Sequence, residues 1–422
     1  MTSYLIRGGC VLTMGRANLA CGDVLIQDGL ITEIGEGIRA RDAEVVDATD
    51  AIVMPGFVDA HRHTWDTLLR NSGIADVADL VGQITPDELH TATLLGLLGA
   101  LGSGTTTVVD WCDAASTPEH VDAALQAHAD AGIRGVFAPG AWAASDWKAA
   151  LRRASSGAGE ATAVAAGAPG PGEVSAEALG VAWGAARDLG VRIHAHAGTH
   201  PDRAGAAAAV AGLLGDDIVL VHGTRLSGDD LDAVASAGCS IVLTPTTEMT
   251  SGFGPPPVQA LIDRDMRPGL GVDSEREAPG DMFAPTRALI SVQHAAYFEQ
   301  KLVGKAGLPR LMSTRDAIRH ATVDGARAAG LSDRVGVLEP GHAADLIVLR
   351  GDRPNIHPVN DPVGAVVWGM DTSNVAWVFV GGRPVKRDGT LVRDDVAALV
   401  SRAVSARDAL LARRGRQPVG VS

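Results

Sequence analysis

Between residues 51 and 330, short apolar runs alternate with longer stretches that carry helix signals. This alternation predicts repeated strand–helix units and a parallel sheet. Capping patterns at Thr85-Pro-Asp-Glu88, at Ser227-Gly-Asp-Asp230 and at 313–316 mark helix starts. The apolar runs predict eight strands, at 51–59, 105–110, 134–137, 162–166, 191–196, 218–222, 239–243 and 269–273. Eight such units predict an α/β fold with a closed (β/α)8 barrel of the TIM type, whose functional side chains lie at the carboxyl ends of the strands.

Both ends of the chain show a different pattern, in which short apolar runs are separated by tight turns. Asp28-Gly29, between two such runs, is a strong hairpin signal. After the barrel, short runs return at 335–338, 344–349, 363–367, 375–380 and 383–385. We expect the two ends to pair into one small composite β-sandwich domain. The predicted boundaries are 1–54 and 334–395 for the two parts of the sandwich, 55–333 for the metal-dependent barrel, and 396–422 for a C-terminal helix and tail.

Composition narrows the class of partner. The chain of 422 residues has a formal net charge of −14, which argues against binding to nucleic acid or to an anionic membrane. No stretch of about 18 uncharged apolar residues predicts a membrane span, and the first residues lack a signal-peptide pattern. The four cysteines suggest no disulfide framework, which is typical of a cytoplasmic protein. We therefore expect a cytoplasmic protein whose partner is a small molecule.

Histidine and aspartate stand at several predicted strand ends. They are His61 and His63 at the end of the first strand, His196 at the end of the fifth, His222 at the end of the sixth and Asp273 at the end of the eighth. Because the chain has only 13 histidines, chance alone would rarely place this set. Side chains two apart on a strand point the same way, so His61 and His63 can hold one ion together. Imidazole and carboxylate suit Zn(II) and Fe(II); the alternative interpretation is a set of core histidines without a ligand.

The motifs around these residues resemble those of the amidohydrolase superfamily, in its cytosine-deaminase-like and triazine-hydrolase-like branch. They are Pro55-Gly-Phe-Val-Asp-Ala-His-Arg-His63, Gly102-Ser-Gly-Thr-Thr-Thr107, His194-Ala-His196, Val221-His-Gly223, Gly271-Val-Asp273 and Leu338-Glu-Pro-Gly-His-Ala-Ala-Asp-Leu346. The resemblance implies one divalent metal ion, zinc first and iron as the alternative. The implied ligands are His61, His63, His196 and Asp273. It also implies that His222 polarises the substrate or orients the attacking water, and that Asp273 transfers the proton, whereas His194 is expected to pack one layer deeper.

Three departures from the family pattern bear on the reaction. Many members of this branch carry a glutamate three residues after the fifth-strand histidine, where it handles protons, but this chain has Thr199. Either His200 or Glu248 takes its place, or the chemistry differs. The segment after the fourth strand, 165–173, lacks the histidine with which many relatives bind substrate. No lysine stands at that strand end, so one ion is expected and not a pair bridged by a carboxylated lysine.

We predict a mononuclear metal-dependent hydrolase in which metal-bound hydroxide attacks a trigonal carbon bearing nitrogen. Deamination of an N-heterocycle or an aromatic amine is the leading prediction. Opening of a ring or cyclic amide, displacement of another leaving group, and a non-hydrolytic lyase or isomerase reaction stay open. The alternative outside enzymes is a barrel that has lost catalysis and serves as a scaffold.

Several side chains near the predicted barrel mouth could contact a substrate. The candidates are Trp65, Trp111, His200 and Glu248. Aromatic faces could stack on a flat ring, although both tryptophans could equally cap the barrel as packing. Glu248 follows the seventh strand, where a solvated loop carboxylate is the simpler expectation. The resemblance further implies a homo-oligomer.

Overall fold

The computed structural model describes residues 3–15, 17–72, 77–144 and 146–415. The strands are β1 (Ser3–Val11), β2 (Leu19–Gln27), β3 (Leu30–Gly35), β4 (Ala43–Asp47), β5 (Ala51–Pro55), β6 (Phe57–Arg62), β7 (Thr105–Cys112), β8 (Arg134–Pro139), β9 (Thr162–Ala168), β10 (Arg192–Ala197), β11 (Ile218–His222), β12 (Ser240–Leu243), β13 (Gly269–Leu270), β14 (Leu346–Arg350), β15 (Val375–Val380), β16 (Arg383–Arg387) and β17 (Thr390–Leu391). The α-helices are α1 (Ala78–Val81), α2 (Pro86–Gly102), α3 (Pro118–Ala131), α4 (Trp147–Gly157), α5 (Ala176–Arg187), α6 (Ala206–Ala209), α7 (Gly228–Ser236), α8 (Pro245–Thr250), α9 (Val258–Ile262), α10 (Phe283–Leu302), α11 (Thr314–His320), α12 (Val323–Ala328), α13 (Pro362–Trp368) and α14 (Val396–Ala412).

The chain forms two compact units, each drawn from separated stretches. The first contains the described residues of Met1–Ala60, Ala100–Thr107 and Asp281–Val392, and the second those of His61–Gly99, Val108–Gly280 and Arg393–Ser422. The domain boundaries inferred from the sequence stay a prediction. Residues 416–422, the end of the predicted tail, lie outside the described residues.

Both ends of the chain pair in one sheet, as the sequence predicted. The strand order is β17-β16-β15-β14-β5-β1-β2-β3, with β4 paired to β1. Strand β5 joins the two ends, because it runs parallel to β1 and antiparallel to β14. The predicted Asp28-Gly29 hairpin links β2 to β3. Apolar side chains from both ends, among them Ile6, Val53, Leu346 and Phe379, share one buried cluster, which ties the composite domain together.

The second sheet has eight strands in sequence order, from β6 to β13. The pairings from β8 through β13 are parallel. The ends of the sheet meet where the Asp273 N–H donates to the His61 carbonyl and the His63 N–H donates to the Asp273 carbonyl, both at 2.9 Å. The predicted (β/α)8 barrel is therefore confirmed, with its first and last strands joined at functional candidates.

Three predicted helix starts are also confirmed. Thr85 Oγ1 accepts a hydrogen bond from the Glu88 N–H at 3.3 Å, and Glu88 Oε2 accepts one from the Thr85 N–H at 2.9 Å. Ser227 and Ser313 each form a reciprocal capping box with the aspartate three residues later. These caps satisfy N–H groups that have no partner within the helix.

Three predicted strands were wrong. The run at 51–59 divides at Gly56 into β5, in the first sheet, and β6, in the barrel. A β-carbon at Gly56 would lie 2.2 Å from the Thr106 side chain, so glycine is required where the chain passes from β5 to β6. The segment 335–338 is not a strand. The segment 363–367 lies in helix α13, because Pro362 opens that helix and the Asp361 side chain accepts hydrogen bonds from two of its first N–H groups.

Among the described residues, no helix is both long and apolar enough to cross a membrane.

Candidate metal centre

His61 and His63 lie at the carboxyl end of β6, the first barrel strand. Every residue of β6 is buried, and the side chain of His61 is fully enclosed while that of His63 is 12% exposed. Arg62, between them, points the other way and donates to Glu275 at 2.7 Å and to the Gly280 carbonyl at 2.7 Å. The alternation expected of a strand thus directs both imidazoles to one side.

Three imidazole nitrogens converge at the barrel mouth. His61 Nε2 lies 3.1 Å from His63 Nε2 and 3.1 Å from His196 Nε2. The His63 and His196 rings lie almost parallel, at an interplanar angle of 7°. Ligands about 2.05 Å from a tetrahedral ion lie about 3.3 Å from one another, so these spacings match those of a shared ion. This donor set fits a divalent metal ion.

Asp273 completes the cluster from the last barrel strand. Its Oδ1 lies 3.5 Å from His61 Nε2 and 3.3 Å from His63 Nε2. Its φ of 70° is in the left-handed region, where a residue other than glycine is strained. Gly271, two residues earlier, permits the approach, because a β-carbon there would lie 2.5 Å from the His61 carbonyl oxygen. The carboxylate is therefore held beside His61 and His63 by a closely packed, strained backbone segment just after β13.

His222, at the end of β11, adjoins this cluster and also has a positive φ, of 77°. Its Nε2 lies 4.0 Å from Asp273 Oδ2. Its Nδ1 lies 3.1 Å from Thr244 Oγ1 and 3.4 Å from Glu248 Oε1. Phe253 contacts the imidazole edge-on, with ring centroids 5.1 Å apart. One ring nitrogen thus faces the metal-side carboxylate and the other faces two oxygen groups that follow β12.

Burial and neighbouring charges set the protonation preferences of the cluster. Burial lowers the pKa of His61 to about 4 and lowers that of His196 well below its ordinary value, which favours neutral, metal-competent rings. Burial acts to raise the pKa of Asp273, but hydrogen bonds with His61 and His63 hold it well below its usual range. Burial acts against a charge on His63, yet the Asp113 carboxylate raises the pKa of that ring well above its ordinary value.

Asp113, which sequence reasoning missed, connects the metal cluster to Trp65 and Trp111, the two tryptophans predicted to contact a substrate. Its Oδ2 accepts from His63 Nδ1 and from Trp65 Nε1, each at 2.9 Å. Its Oδ1 accepts from Trp111 Nε1 at 2.8 Å. The only local signal was a carboxylate just after β7, which does not by itself indicate a partner. One carboxylate therefore orients a candidate ligand and both candidate tryptophans.

The predicted tryptophans are both almost fully buried. Trp65 is 3% exposed and Trp111 is 1% exposed. Trp111 lies against His196, with ring centroids 4.3 Å apart, and Gly140 leaves room for its indole, because a β-carbon there would lie 2.2 Å from Nε1. Trp65 belongs to an apolar cluster that includes Phe137. The structure brings Trp111 next to the metal cluster, whereas Trp65 reaches it through Asp113.

The other two predicted substrate contacts differ sharply in burial. The side chain of His200 is 63% exposed and lies beside Asp202, so it is not among the buried groups of the cluster. Glu248 is fully buried, contrary to the expected solvated loop, because 245–250 forms helix α8 and turns this carboxylate toward His222. Burial raises the pKa of Glu248. His194 is fully buried, and burial lowers its pKa to about 3.

The segment after β9 approaches the backbone of His196 closely. Gly170 lies so close to β10 that a β-carbon on it would be 1.7 Å from the His196 carbonyl oxygen. Its N–H donates to Glu173 Oε2 at 2.9 Å, which holds this turn. The segment therefore supports the backbone of His196.

Comparisons with known proteins agree with this geometry. The sequence profile of the amidohydrolase family matches residues 52–385. A 5-methylthioadenosine/S-adenosylhomocysteine deaminase from Thermococcus kodakarensis is 26% identical over 413 residues, which cover 90% of this chain and 93% of that protein.

Two solved structures share the fold over nearly the whole chain. An adenosine deaminase from Xanthomonas campestris with bound zinc has a TM-score of 0.83 at 23% identity, with 97% of this chain and 98% of that chain covered. A mutant of atrazine chlorohydrolase from Arthrobacter aurescens TC1, complexed with zinc and atraton, has a TM-score of 0.84 at 21% identity, with 96% and 100% covered. At these identities the similarity establishes the fold.

Proposed function

The chain belongs to the amidohydrolase family, and we propose that it is a hydrolase of carbon–nitrogen bonds other than peptide bonds that deaminates a nitrogen heterocycle. The observation that carries this proposal is the cluster of three imidazoles and one carboxylate. His61 Nε2 lies 3.1 Å from the Nε2 atoms of His63 and of His196, and Asp273 Oδ1 lies within 3.5 Å of His61 and His63. The deaminase relative supports the choice of reaction.

The proposed ligands of one divalent ion are His61, His63, His196 and Asp273. Zinc is the proposed metal, since it prefers this donor set in a tetrahedral arrangement, and zinc is bound in both structural neighbours. Iron(II) is the alternative that metal analysis distinguishes. When bound, such an ion supplies a Lewis acid that makes water a nucleophile near neutral pH.

The two oxygens of Asp273 have different surroundings, which suggests a division of roles. Oδ1 faces the metal-side nitrogens of His61 and His63. Oδ2 faces His222 and accepts from Thr244 Oγ1 at 3.4 Å. We assign Oδ2 to accept the proton of the attacking water and to return it to the leaving nitrogen. His222, beside it, orients the water or stabilises charge on the substrate.

The proposed substrate contacts have unequal support. Trp111 adjoins His196 and supplies an aromatic surface close to the metal cluster. Trp65 contributes through the Asp113 carboxylate that it shares with His63. Glu248 lies behind His222 and acts on the substrate through that ring. His200 is exposed and would contact only the outer part of a larger substrate. A homo-oligomer stays a proposal from the family resemblance.

Thr199 favours a second candidate function, the hydrolytic displacement of another leaving group from a ring carbon. A threonine hydroxyl does not act as an acid or a base near neutral pH, so it cannot supply a proton to the substrate as the family glutamate does. A leaving group that departs as an anion needs no such proton.

Ammonia release is the direct test of deamination. The zinc-loaded protein would be incubated with adenosine, 5-methylthioadenosine, S-adenosylhomocysteine, cytosine and amino-triazines, and ammonia would be measured by a coupled assay. We expect release from at least one, and none from His61→Ala. Products formed in heavy-oxygen water should carry the label. Turnover without ammonia but with label supports the second candidate, and turnover without label contradicts both.

A further inference from the structure

We propose that Glu248 is a positioning residue that keeps a hydrogen on Nδ1 of His222 and thereby aims Nε2 at the metal centre. The inference rests on the proposed function only in giving His222 a role in the reaction. It starts from the 3.4 Å separation between Glu248 Oε1 and His222 Nδ1, and from the complete burial of the carboxylate.

Glu248 Oε1 is an acceptor whatever the charge of the carboxyl group. The Thr244 N–H already donates to this oxygen at 2.8 Å, which fixes the orientation of the group. The bond from the Thr244 N–H identifies Oε1 as the acceptor oxygen of the carboxyl group, so any carboxyl hydrogen belongs on Oε2. The hydrogen shared between Glu248 and His222 must therefore belong to Nδ1.

Thr244 supplies a second, independent acceptor for the same hydrogen. Its Oγ1 lies 3.1 Å from His222 Nδ1 and donates its own hydrogen to Asp273 Oδ2 at 3.4 Å. Because the hydroxyl hydrogen points at Asp273, the oxygen offers a lone pair to Nδ1. Two oxygen acceptors thus face Nδ1, and a histidine with hydrogen only on Nε2 would place the Nδ1 lone pair against both of them.

A hydrogen on Nδ1 favours one of the two roles proposed for His222, which are to orient the attacking water and to polarise the substrate. A neutral ring with hydrogen on Nδ1 has a lone pair on Nε2, the atom 4.0 Å from Asp273 Oδ2. A lone pair accepts a hydrogen from water, so the ring orients the nucleophile. A substrate oxygen or nitrogen lone pair would find no donor there. Glu248 therefore favours orientation of water over polarisation of the substrate.

A buried carboxylate such as that of Glu248 is unfavourable if its only role is packing. Oε2 is buried and has no hydrogen-bond partner among the described residues. An unsatisfied buried oxygen destabilises the fold, and an apolar side chain of the same length would avoid that penalty. The retained carboxylate is explained if Oε1 is needed to orient His222.

Three variants separate positioning from packing and from charge. Glu248→Gln keeps an oxygen for the Thr244 N–H and for Nδ1, so we expect kcat within about threefold of the parent. Glu248→Met keeps the length but removes both carboxylate oxygens and leaves Thr244 Oγ1 as the acceptor at Nδ1. We expect kcat to fall about 10- to 100-fold with little change in KM, the range for groups that orient ligating histidines. Glu177→Met, on the exposed surface of α5, is the matched control. Zinc content should stay at the parent level in all three.

Nitrogen-15 NMR of the zinc-loaded protein labelled at histidine reads the tautomer without any substrate. The His222 signals would be assigned by their loss in His222→Asn. We expect hydrogen on Nδ1 in the parent and in Glu248→Gln, and loss of that pattern in Glu248→Met. If no substrate releases ammonia, the proposed function fails while this measurement still decides the inference.

Three results would overturn the inference. One is hydrogen on Nε2 alone in the parent. Another is an unchanged tautomer and kcat in Glu248→Met. A third is a Glu248→Gln protein that keeps the tautomer but loses kcat, since charge and not position would then matter. If Glu248→Met does not fold, the parent spectrum and the glutamine variant decide.

Discussion

Asp113 Oδ2 lies 2.9 Å from Nδ1 of His63, the ring nitrogen opposite the one that faces the metal cluster. The two residues are 50 positions apart in the chain. A carboxylate on the far nitrogen of a ligating histidine fixes the ring orientation and strengthens it as a donor. Because the same carboxylate accepts two indole N–H groups, its position is set from three sides.

Replacing Asp113 with asparagine should weaken zinc binding about 10- to 100-fold. Asparagine offers one acceptor oxygen, and its amide hydrogens would face a donor, so three N–H groups could not all be satisfied. Competition with a chromogenic chelator measures the affinity. Asp122→Asn, at a surface pair with Arg153, is the control and should bind zinc as the parent does. Equal affinities in the two variants would contradict the role of Asp113.

Gly170→Ala should lower both zinc content and stability. The added β-carbon would lie 1.7 Å from the His196 carbonyl oxygen, so the strand that carries this candidate ligand must move. We expect a loss of about 1–3 kcal/mol in unfolding free energy, the usual range for forced overpacking. Urea denaturation and metal analysis measure the two effects.

Gly184→Ala is the matched control for that change. Gly184 lies within α5 and a β-carbon there meets no atom within 4 Å. Alanine should stabilise this helix by about 0.5–1 kcal/mol. An equal response of the two variants would mean that the contact with His196 is not what Gly170 provides.

Because the pKa of Asp66 is raised in the folded state, the free energy of unfolding should fall as the pH rises. Burial raises its pKa from 3.8 to about 6, against the opposing effects of His63, Ser274 and Arg276. The folded state therefore holds a proton that the unfolded state releases, so the fold is favoured below pH 4 and loses that advantage between about pH 4 and 6. From that shift, the full difference is up to about 3 kcal/mol.

Asp66→Asn removes this titration. The stability of the variant relative to the parent should rise between pH 4 and 7, in metal-free protein measured by calorimetry. The comparison uses the slope with pH, so a pH-independent difference in the packing of the amide does not affect it. A relative stability that stays level or falls over this range would contradict the assignment.

His61→Ala and Asp273→Asn should each abolish turnover while the fold persists. Each removes one proposed ligand, and Asp273→Asn also removes the proposed proton acceptor. Activity should fall at least about 1,000-fold, since a lost donor disables the metal-dependent step. Circular dichroism and thermal unfolding check the fold. Substantial turnover in either variant would remove the proposed mechanism.

The sequence by itself determined the barrel, the composite sheet and the strand ends that carry the four donors. These features are local or periodic. Two histidines two apart on a strand must share a side, and a capping box such as Ser227 with Asp230 is complete within four residues. The motif spacing then placed the chain in its family before any contact was known.

Only the tertiary structure decided which groups support that cluster. Asp113 and Glu248 each follow a barrel strand, but no local pattern indicates their histidine partners, which the folded barrel and helix α8 bring to them. The run at 51–59 could not reveal its own division, because both halves are apolar and only the pairing of β5 with β14 separates them. The periodicity of apolar residues indicates which side of a strand or helix a residue faces, whereas long-range packing determines which residues it contacts.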